Sequence, residues 1–258
     1  ASTGDPILEY ERLAEEADDG LSGDLRLGLR HTFGDNHRLT VEGRAEASEE
    51  EETQTYFETL VLGSGELDAP QRVFQDENER EFSLAVDYTR PLGGLTLDLG
   101  YKGDIERQNA GLTSESLGDG VYVPDEGVGN TFEYDQTIHA VYAQAAGEWG
   151  RWGLQTGLRA EAATTTFDLL TTNESYDNSY QSLFPSAFLS YSPTDLLTLR
   201  GGYSRRINRP RSRSLNPFPS FDDPLNIRQG NPALRPEYVD AAEISANLLT
   251  GFGSVSLT

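Results

Sequence analysis

The sequence contains no cysteine, which excludes disulfide bonds, thiolate metal sites and a cysteine nucleophile. Its 258 residues include only three histidines, His31, His37 and His139. His31 and His37 flank one turn, but no third ligand has suitable spacing, so we predict no metal site there. Gly-x-Ser-x-Gly, phosphate-loop and dinucleotide-binding motifs are missing too, and we predict no cofactor. The sequence predicts a protein that is not an enzyme, although its many carboxylates leave a glycosidase pair open.

Long apolar runs are also missing. No stretch of the sequence approaches the roughly 18 continuous apolar residues of a membrane helix. The 43 acidic side chains outnumber the 20 basic ones and give a formal net charge of −23. Such an acidic chain repels nucleic acid, so we expect no nucleic-acid partner. The acidic run at 49–52 and the pair at 18–19 are interpreted as solvated loops, with loose binding of a hard cation as the alternative. A soluble β protein and a membrane β-barrel remain.

Apolar and polar residues alternate with a period of two over long stretches of the sequence, which is typical of a β-sheet with one apolar and one polar face. The clearest run extends from Leu95 to Glu106, and a similar run extends from Glu81 to Thr89. The residues at 90–94 form a tight turn, so the two runs predict a hairpin. Equivalent patterns cover 24–46 and 197–206, and we count ten or eleven strands in all.

Short and long connections alternate along the chain. Short turns are predicted at 34–36, 90–94, 147–151, 192–195 and 249–251, and long polar connections near 49–78, 107–130, 171–179 and 207–237. This rhythm is typical of an antiparallel up-and-down transmembrane β-barrel, with short turns on one rim and long loops on the other. The runs at 132–147 and 152–171 exceed the ~9–11 residues needed to cross hydrocarbon, so we expect strands that project beyond the bilayer.

Aromatic residues near strand ends favour the membrane barrel, because rings at both interfaces form an aromatic girdle. The residues assigned to this girdle are Tyr88, Tyr101, Tyr134, Tyr142, Trp149, Trp152 and Tyr203. In a membrane barrel the apolar set, including Leu95, Leu97 and Leu99, faces lipid. In the alternative, a soluble β protein, the same side chains fill a sealed interior and the aromatics close its ends.

The second half of the chain carries a specific string of residues. It contains Ser204-Arg205-Arg206-Ile207-Asn208-Arg209-Pro210, then Leu215-Asn216-Pro217-Phe218, and then Gly230-Asn231-Pro232-Ala233-Leu234-Arg235-Pro236-Glu237. This string resembles the TonB-dependent outer-membrane receptor family, and within it the outer membrane protein beta-barrel branch. The resemblance spans roughly 20–258 and is generic in the first half.

The resemblance implies a bacterial outer-membrane barrel of twenty-two strands around an N-terminal plug, energised by the TonB complex. This sequence shows no plug, no TonB box and no terminal aromatic strand. We therefore expect residues 1–258 to form a partial barrel domain, about half of such a barrel. Lipid is the expected partner of this chain, whereas the plug and the TonB complex are expected from the family and not encoded here.

Five arginines stand out in this acidic protein as candidate substrate-binding residues at the external mouth: Arg205, Arg206, Arg209, Arg211 and Arg213. Guanidinium groups bind carboxylates in a bidentate manner, so the cluster suits an anionic substrate. The alternative is that these arginines pair with carboxylates of the lumen and hold the rim together.

The resemblance implies a function in energised uptake of a scarce nutrient, such as a siderophore, vitamin, glycan or peptide. Which of these is the substrate does not follow from the sequence, because selection resides in loops and plug. The alternative is a soluble or surface β-sheet module for binding or adhesion, without transport.

Overall fold

The computed structural model describes residues 8–63, 67–125, 127–217 and 229–257. They form eleven strands and one short helix, α1 (Ser212–Leu215). The strands are β1 (Leu8–Gly34), β2 (His37–Gly63), β3 (Gln71–Leu92), β4 (Leu95–Gly118), β5 (Val121–Pro124), β6 (Asn130–Trp149), β7 (Trp152–Leu169), β8 (Glu174–Thr194), β9 (Leu197–Asn208), β10 (Glu237–Thr250) and β11 (Gly253–Leu257). Among these residues, no helix is long and apolar enough to span a membrane.

All strands belong to one antiparallel sheet. Its order is β1-β2-β3-β4-β6-β7-β8-β9-β10-β11, and β5 pairs with β4 off this path. Apart from the short β5, each strand therefore pairs with its neighbours in sequence, as an up-and-down arrangement requires, and the predicted fold class and strand number are confirmed. The sheet is not closed within the described ranges, and no second sheet packs on it there, which argues against a soluble sandwich.

Five two-residue turns lie on the same rim of the sheet, which we call the short-turn rim. They occupy 35–36, 93–94, 150–151, 195–196 and 251–252, within or next to the predicted turns. Asn36, Gly93 and Gly150 adopt positive φ angles of 53°, 66° and 60°. Asn and Gly tolerate this left-handed region, which the tight hairpin turns require. The opposite edge is called the long-loop rim.

Three of the predicted long connections are wrong, because most of their residues belong to strands. β2 continues to Gly63 and β3 begins at Gln71, β4 continues to Gly118, and β8 begins at Glu174. Beyond a membrane both faces of a strand meet water, so the apolar alternation disappears while the backbone pairing continues. The acidic run at 49–52 pairs with 75–78 of β3 and is thus strand rather than loop. The fourth connection is confirmed, because β9 ends at Asn208 and β10 begins at Glu237.

The two faces of the sheet differ in chemistry. We call the face on which α1 packs the inner face, and the opposite one the outer face. One register-aligned row on the outer face crosses seven strands and contains only apolar or tyrosine side chains: Leu29, Val41, Val86, Tyr101, Val141, Ala160 and Leu183. Leu95 and Leu99, which share this face, are 38% and 40% exposed, so they do not fill a sealed interior.

The apolar outer face forms a band of defined height. On β4 it extends over the eleven residues from Leu95 to Ile105, which matches the ~9–11 residues of a membrane-crossing strand. Immediately beyond it, the register aligns Arg80, Arg107 and Asp135, and Arg107 Nε lies 3.1 Å from an Asp135 carboxylate oxygen. Charged side chains therefore mark the edge of the band towards the long-loop rim.

The predicted aromatic girdle is only partly confirmed. Trp149 and Trp152 are about half exposed on the outer face, and Trp152 stacks on Tyr191 with ring centroids 4.2 Å apart. Two of the residues assigned to it lie on the inner face instead. Tyr134 is 2% exposed in the core, and the Tyr142 hydroxyl donates to Asp87, with its ring over Gly100 where a Cβ would collide. Both occupy even-numbered positions on β6, whose outer face is odd-numbered.

Carboxylates lie directly opposite one another on the inner face of β2, β3 and β4. The register aligns Glu46 with Glu81 and Glu81 with Glu106, and Glu79 lies two residues along β3. Like charges in directly opposed positions destabilise a sheet. Glu106 lies just beyond the apolar band, and burial, followed by Glu79 and Glu81, raises its pKa to about 6. Burial and the nearby Glu81 and Glu77 also raise the pKa of Glu79.

Replacing Glu106 by Gln is expected to increase the free energy of unfolding at pH 7 by roughly 0.2–1 kcal/mol, since one repelling charge is removed. The folded-state pKa of about 6 exceeds the ordinary 4.5, so the folded protein retains the proton longer. This carboxyl therefore lowers stability as pH rises from 4.5 through 6. Urea unfolding in lipid vesicles across that range measures the difference between the two proteins. Asp195→Asn, in an exposed short turn, is the control, and a Glu106→Gln protein less stable than the unmodified one at pH 7 contradicts the repulsion.

Candidate functional site

The described parts of the connection between β9 and β10, residues 209–217 and 229–236, fold back over the inner face at the long-loop rim. Its helix α1 inserts Leu215, which is 5% exposed, among Phe132, Tyr134, Phe167 and Leu169. These four come from facing positions of β6 and β7, and the Phe132 and Phe167 rings stack with centroids 5.0 Å apart. Burial of a leucine side chain contributes about 1.5–3 kcal/mol. This contact is thus an apolar anchor for the loop.

Backbone hydrogen bonds join the two described ends of this loop. The Gly230 amide donates to the Asn216 carbonyl and the Asn231 amide donates to the Ser214 carbonyl, both at 2.8 Å. A Cβ on Gly230 would lie 2.5 Å from the Asn216 oxygen, so only glycine allows this approach. The Asn130 side-chain amide also donates to the Asn216 side-chain oxygen at 3.0 Å. The loop is therefore tied to β6 as well as to itself. Residues 218–228 lie outside the described ranges.

A buried ion-pair network holds the start of the loop. Arg209 pairs with Glu161 on β7, and its Nε donates to the Tyr180 hydroxyl at 2.8 Å. Glu161 is 8% exposed and also accepts from Arg159 Nε at 2.6 Å. Two guanidinium groups thus compensate one buried carboxylate, and the network links β7, β8 and the loop.

The five arginines singled out in the sequence do not converge on one point. Arg209 is engaged by Glu161, and Arg205 lies 3.7 Å from an Asp240 carboxylate oxygen with its guanidinium 5.0 Å from the centre of the Tyr238 ring. The remaining three are exposed, and no carboxylate of the described residues lies within 4.0 Å of them: Arg206, Arg211 and Arg213. Arg211 precedes the anchored helix and Arg213 lies within it, so these are the two of the five that no described carboxylate engages at this rim.

Aromatic side chains surround the anchored loop on the inner face. Tyr176 and Tyr180 of β8 lie beside the loop with Phe167, and Tyr238 at the start of β10 shares a hydrogen bond of 2.5 Å with Ser182. The pKa of Tyr134 is raised, first by burial and then by the Glu106 carboxylate, so its hydroxyl stays neutral at physiological pH. Aromatic faces and exposed guanidinium groups are suited to binding an anionic or ring-bearing molecule.

Sequence reasoning missed a second recess, which lies on the inner face near the short-turn rim. This cavity of about 390 Å³ is lined by charged side chains of both signs, among them Glu148, Arg200, Arg206 and Glu243. These residues come from β6, β9 and β10, which are far apart in sequence. The even numbering of Arg200 and Arg206 on β9 is the signal that could have assigned both to one face.

Little in the described residues suggests catalysis or a bound metal. His37 and His139 contact the hydroxyls of Tyr88 and Tyr101 at 2.9 and 2.8 Å, and the side-chain hydrogen bonds of the described part include no pair of histidine with serine. One group of carboxylates could meet a cation, since oxygens of Glu16, Asp18 and Glu52 lie within 4.8 Å of one another. Glu16 and Asp18 are exposed, and exposed acidic groups are common without an ion.

Comparison with known proteins identifies the family. The sequence profile of the outer membrane protein beta-barrel family matches residues 31–258, which is most of the chain. The chain belongs to this family. Its barrel therefore lies in the bacterial outer membrane, with the apolar outer face towards lipid and the charged inner face towards the lumen. A search of curated proteins finds no match to this sequence.

Solved structures of siderophore and ferric-complex receptors share the fold of this chain. The siderophore receptor PiuA from Acinetobacter baumannii matches with a TM-score of 0.61 and 14% identity, over 93% of this chain and 39% of PiuA. The ferric citrate transporter FecA in its unliganded form matches with a TM-score of 0.59 and 14% identity, over 90% of this chain and 32% of FecA. The ferric-catecholate import receptor Fiu from E. coli K12 matches with a TM-score of 0.52 and 13% identity, over 90% of this chain and 38% of Fiu. The chain thus spans about a third of these receptors, and the likeness at such identity concerns the fold alone.

The Arg209 network is tested by Arg209→Gln, which leaves Glu161 with one guanidinium partner. We expect the free energy of unfolding to fall by about 1.5–3 kcal/mol, the usual value of a hydrogen bond to a charged group. Cleavage of the loop by proteinase K is expected to accelerate at least tenfold. Arg211→Gln is the matched control, because Arg211 is exposed and unpaired within the described residues. Equal cleavage rates for the two variants contradict a role of Arg209 in holding the loop.

Proposed function

We propose that this chain forms part of the barrel wall and external rim of a TonB-dependent receptor that takes up a scarce nutrient. Residues 1–258 supply one partial barrel domain, and a plug, further strands and the TonB complex complete the receptor. The observation that carries the proposal is the loop at 209–236, which is anchored through Leu215 over the inner face at the long-loop rim. A barrel segment whose sole role is to span the membrane does not require a loop that folds over the lumen at one rim.

The chemistry of this mouth favours an anionic substrate. Arg211 at the start of the anchored helix and Arg213 within it are exposed, and aromatic side chains of β6, β7 and β8 lie beneath the helix. A ferric siderophore complex combines negative charge with rings or carboxylates, and guanidinium groups bind such oxygens in a bidentate manner. Ferric citrate and ferric catecholates are named for two of the similar structures, which supports a chelate of this class over a vitamin, glycan or peptide.

The proposal assigns no reaction to the chain, and a soluble binding module is not retained. Membership of an outer-membrane family and an open face of leucine and valine both support a membrane wall. The histidine contacts described above are with tyrosine hydroxyls, which supports binding rather than turnover.

Transport measurements on the full-length protein test the proposal. Cells that express it as their only receptor are expected to accumulate iron from one ferric complex of citrate or a catecholate, and a protonophore is expected to stop the accumulation. The double variant Arg211→Ala/Arg213→Ala is expected to weaken binding of the complex by about 10–100-fold, as loss of charge-assisted hydrogen bonds predicts.

The matched control is Arg30→Ala, which removes an exposed arginine near the opposite rim. It is expected to leave uptake unchanged. Uptake that persists with the protonophore contradicts the energised mechanism, and equal binding by the double variant and the control contradicts the assigned arginines. Uptake of cobalamin or an oligosaccharide instead would overturn the substrate class and leave the receptor assignment in place.

A further inference from the structure

Five side chains form a cluster on the outer face at the short-turn rim, remote from the mouth. They are His31 and Phe33 on β1, His37 on β2, and Tyr88 and Arg90 on β3, and we call them the basic aromatic patch. Their rings form a continuous chain, with centroids 4.5 Å apart for His31 and Phe33, 4.6 Å for Phe33 and His37, and 5.4 Å for His37 and Tyr88. Such packing fixes the four rings, and Arg90 lies two residues beyond Tyr88 on the same face of β3.

The charge of this patch is opposite to that of the chain. Although acidic residues outnumber basic ones by 43 to 20, no carboxylate occupies an outer-face position of β1 to β4 between the short-turn rim and the row of Leu25, Ala45, Phe82 and Ile105. The carboxylates of these segments, such as Glu42, Asp87 and Asp98, alternate onto the inner face. Asp35, in the β1–β2 turn, is the nearest acidic residue in sequence. An anion that approaches from the lipid side therefore meets Arg90 and the two histidines.

The patch lies at the short-turn edge of the apolar band, next to the headgroup layer of the membrane. His31 pairs with Leu39 and Arg90 with Leu97, so on β1 and β3 the patch replaces the last apolar residues of the band and lies within a few residues of the short turns. Phe33 is 54% exposed, and His31 and Arg90 are exposed as well. Aromatic rings favour this interface, and basic clusters beside hydrocarbon bind anionic headgroups.

We propose that the basic aromatic patch binds the phosphate headgroup of an anionic phospholipid in the leaflet at the short-turn rim. The Arg90 guanidinium presents two parallel donors to phosphate oxygens, and His31 contributes a further ring N–H. The Tyr88 hydroxyl lies 2.9 Å from Nε2 of His37 and orients the imidazole ring. The other ring nitrogen of His37, Nδ1, then contacts the phosphate. Phe33 packs against the glycerol and the first acyl carbons. This inference depends on the membrane position of the outer face and not on the proposed uptake.

Native mass spectrometry of the full-length protein tests the site. The protein is released from nanodiscs that contain equal amounts of phosphatidylglycerol and phosphatidylcholine, and the lipids that remain bound are counted. We expect the unmodified protein to retain phosphatidylglycerol preferentially. The triple variant His31→Gln/His37→Gln/Arg90→Gln is expected to lose this preference, with about tenfold weaker retention of phosphatidylglycerol and unchanged retention of phosphatidylcholine.

Two further variants make the result specific. Arg90→Gln alone is expected to reduce the preference in part, and it removes no ring contact, so it guards against a folding defect in the triple variant. Arg38 is an exposed arginine near the same rim, but it lies on the inner face. The Arg38→Gln variant is therefore expected to keep the full preference for phosphatidylglycerol. Equal retention of the two lipids by the unmodified protein overturns the proposal, as does equal loss of preference in Arg38→Gln and Arg90→Gln.

Discussion

Continuous pairing of backbone N–H and C=O groups between neighbouring strands is the constraint on which this structure depends. Hydrocarbon offers no other partner for these groups, so a strand that crosses a membrane must be paired along its whole length. The antiparallel meander satisfies this requirement between most neighbouring strands, with two-residue turns on one rim, whereas β8 and β9 pair only over 186–194 and 197–204. Because side chains alternate along each paired strand, the same pairing divides the residues between a lipid face and a lumen face, and every site described above follows from that division.

The lumen face is where the chain departs from a plain wall. Apolar and ionic contacts of Leu215 and Arg209 fix the first part of the loop over β6, β7 and β8, whereas opposed glutamates line β2, β3 and β4. One side of the inner face is thus packed and aromatic, and the other is open and acidic. In the proposed function, substrate recognition belongs to the part that the loop covers. The outer face differs as well, since Arg90 near the short-turn rim shares that face with the rings of His31, Phe33, His37 and Tyr88.

The sequence was sufficient to predict the all-β class, the short turns and the face on which Leu95 and Leu99 lie, because alternation and turn residues are local signals. The sequence does not reveal strands where the alternation of apolar and polar residues disappears. The polar ends of β2, β3 and β4 are therefore predicted as loops. Tyr134 and Tyr142 were misassigned because proximity to a strand end was weighed above residue parity. The pairing of Arg209 with Glu161 joins residues 48 positions apart, and it depends on the register of three strands and a loop fold that no local pattern specifies.

The central claim is that odd-numbered residues of β4 contact acyl chains while even-numbered ones contact water. The natural absence of cysteine allows single cysteines at each position from 95 to 105 without background. In vesicles, a fluorophore at odd positions such as Leu97 and Leu99 is predicted to be quenched by spin-labelled lipid, and one at even positions such as Thr96 and Asp98 by aqueous iodide. Quenching without a period of two, or with the two sets exchanged, would contradict the account.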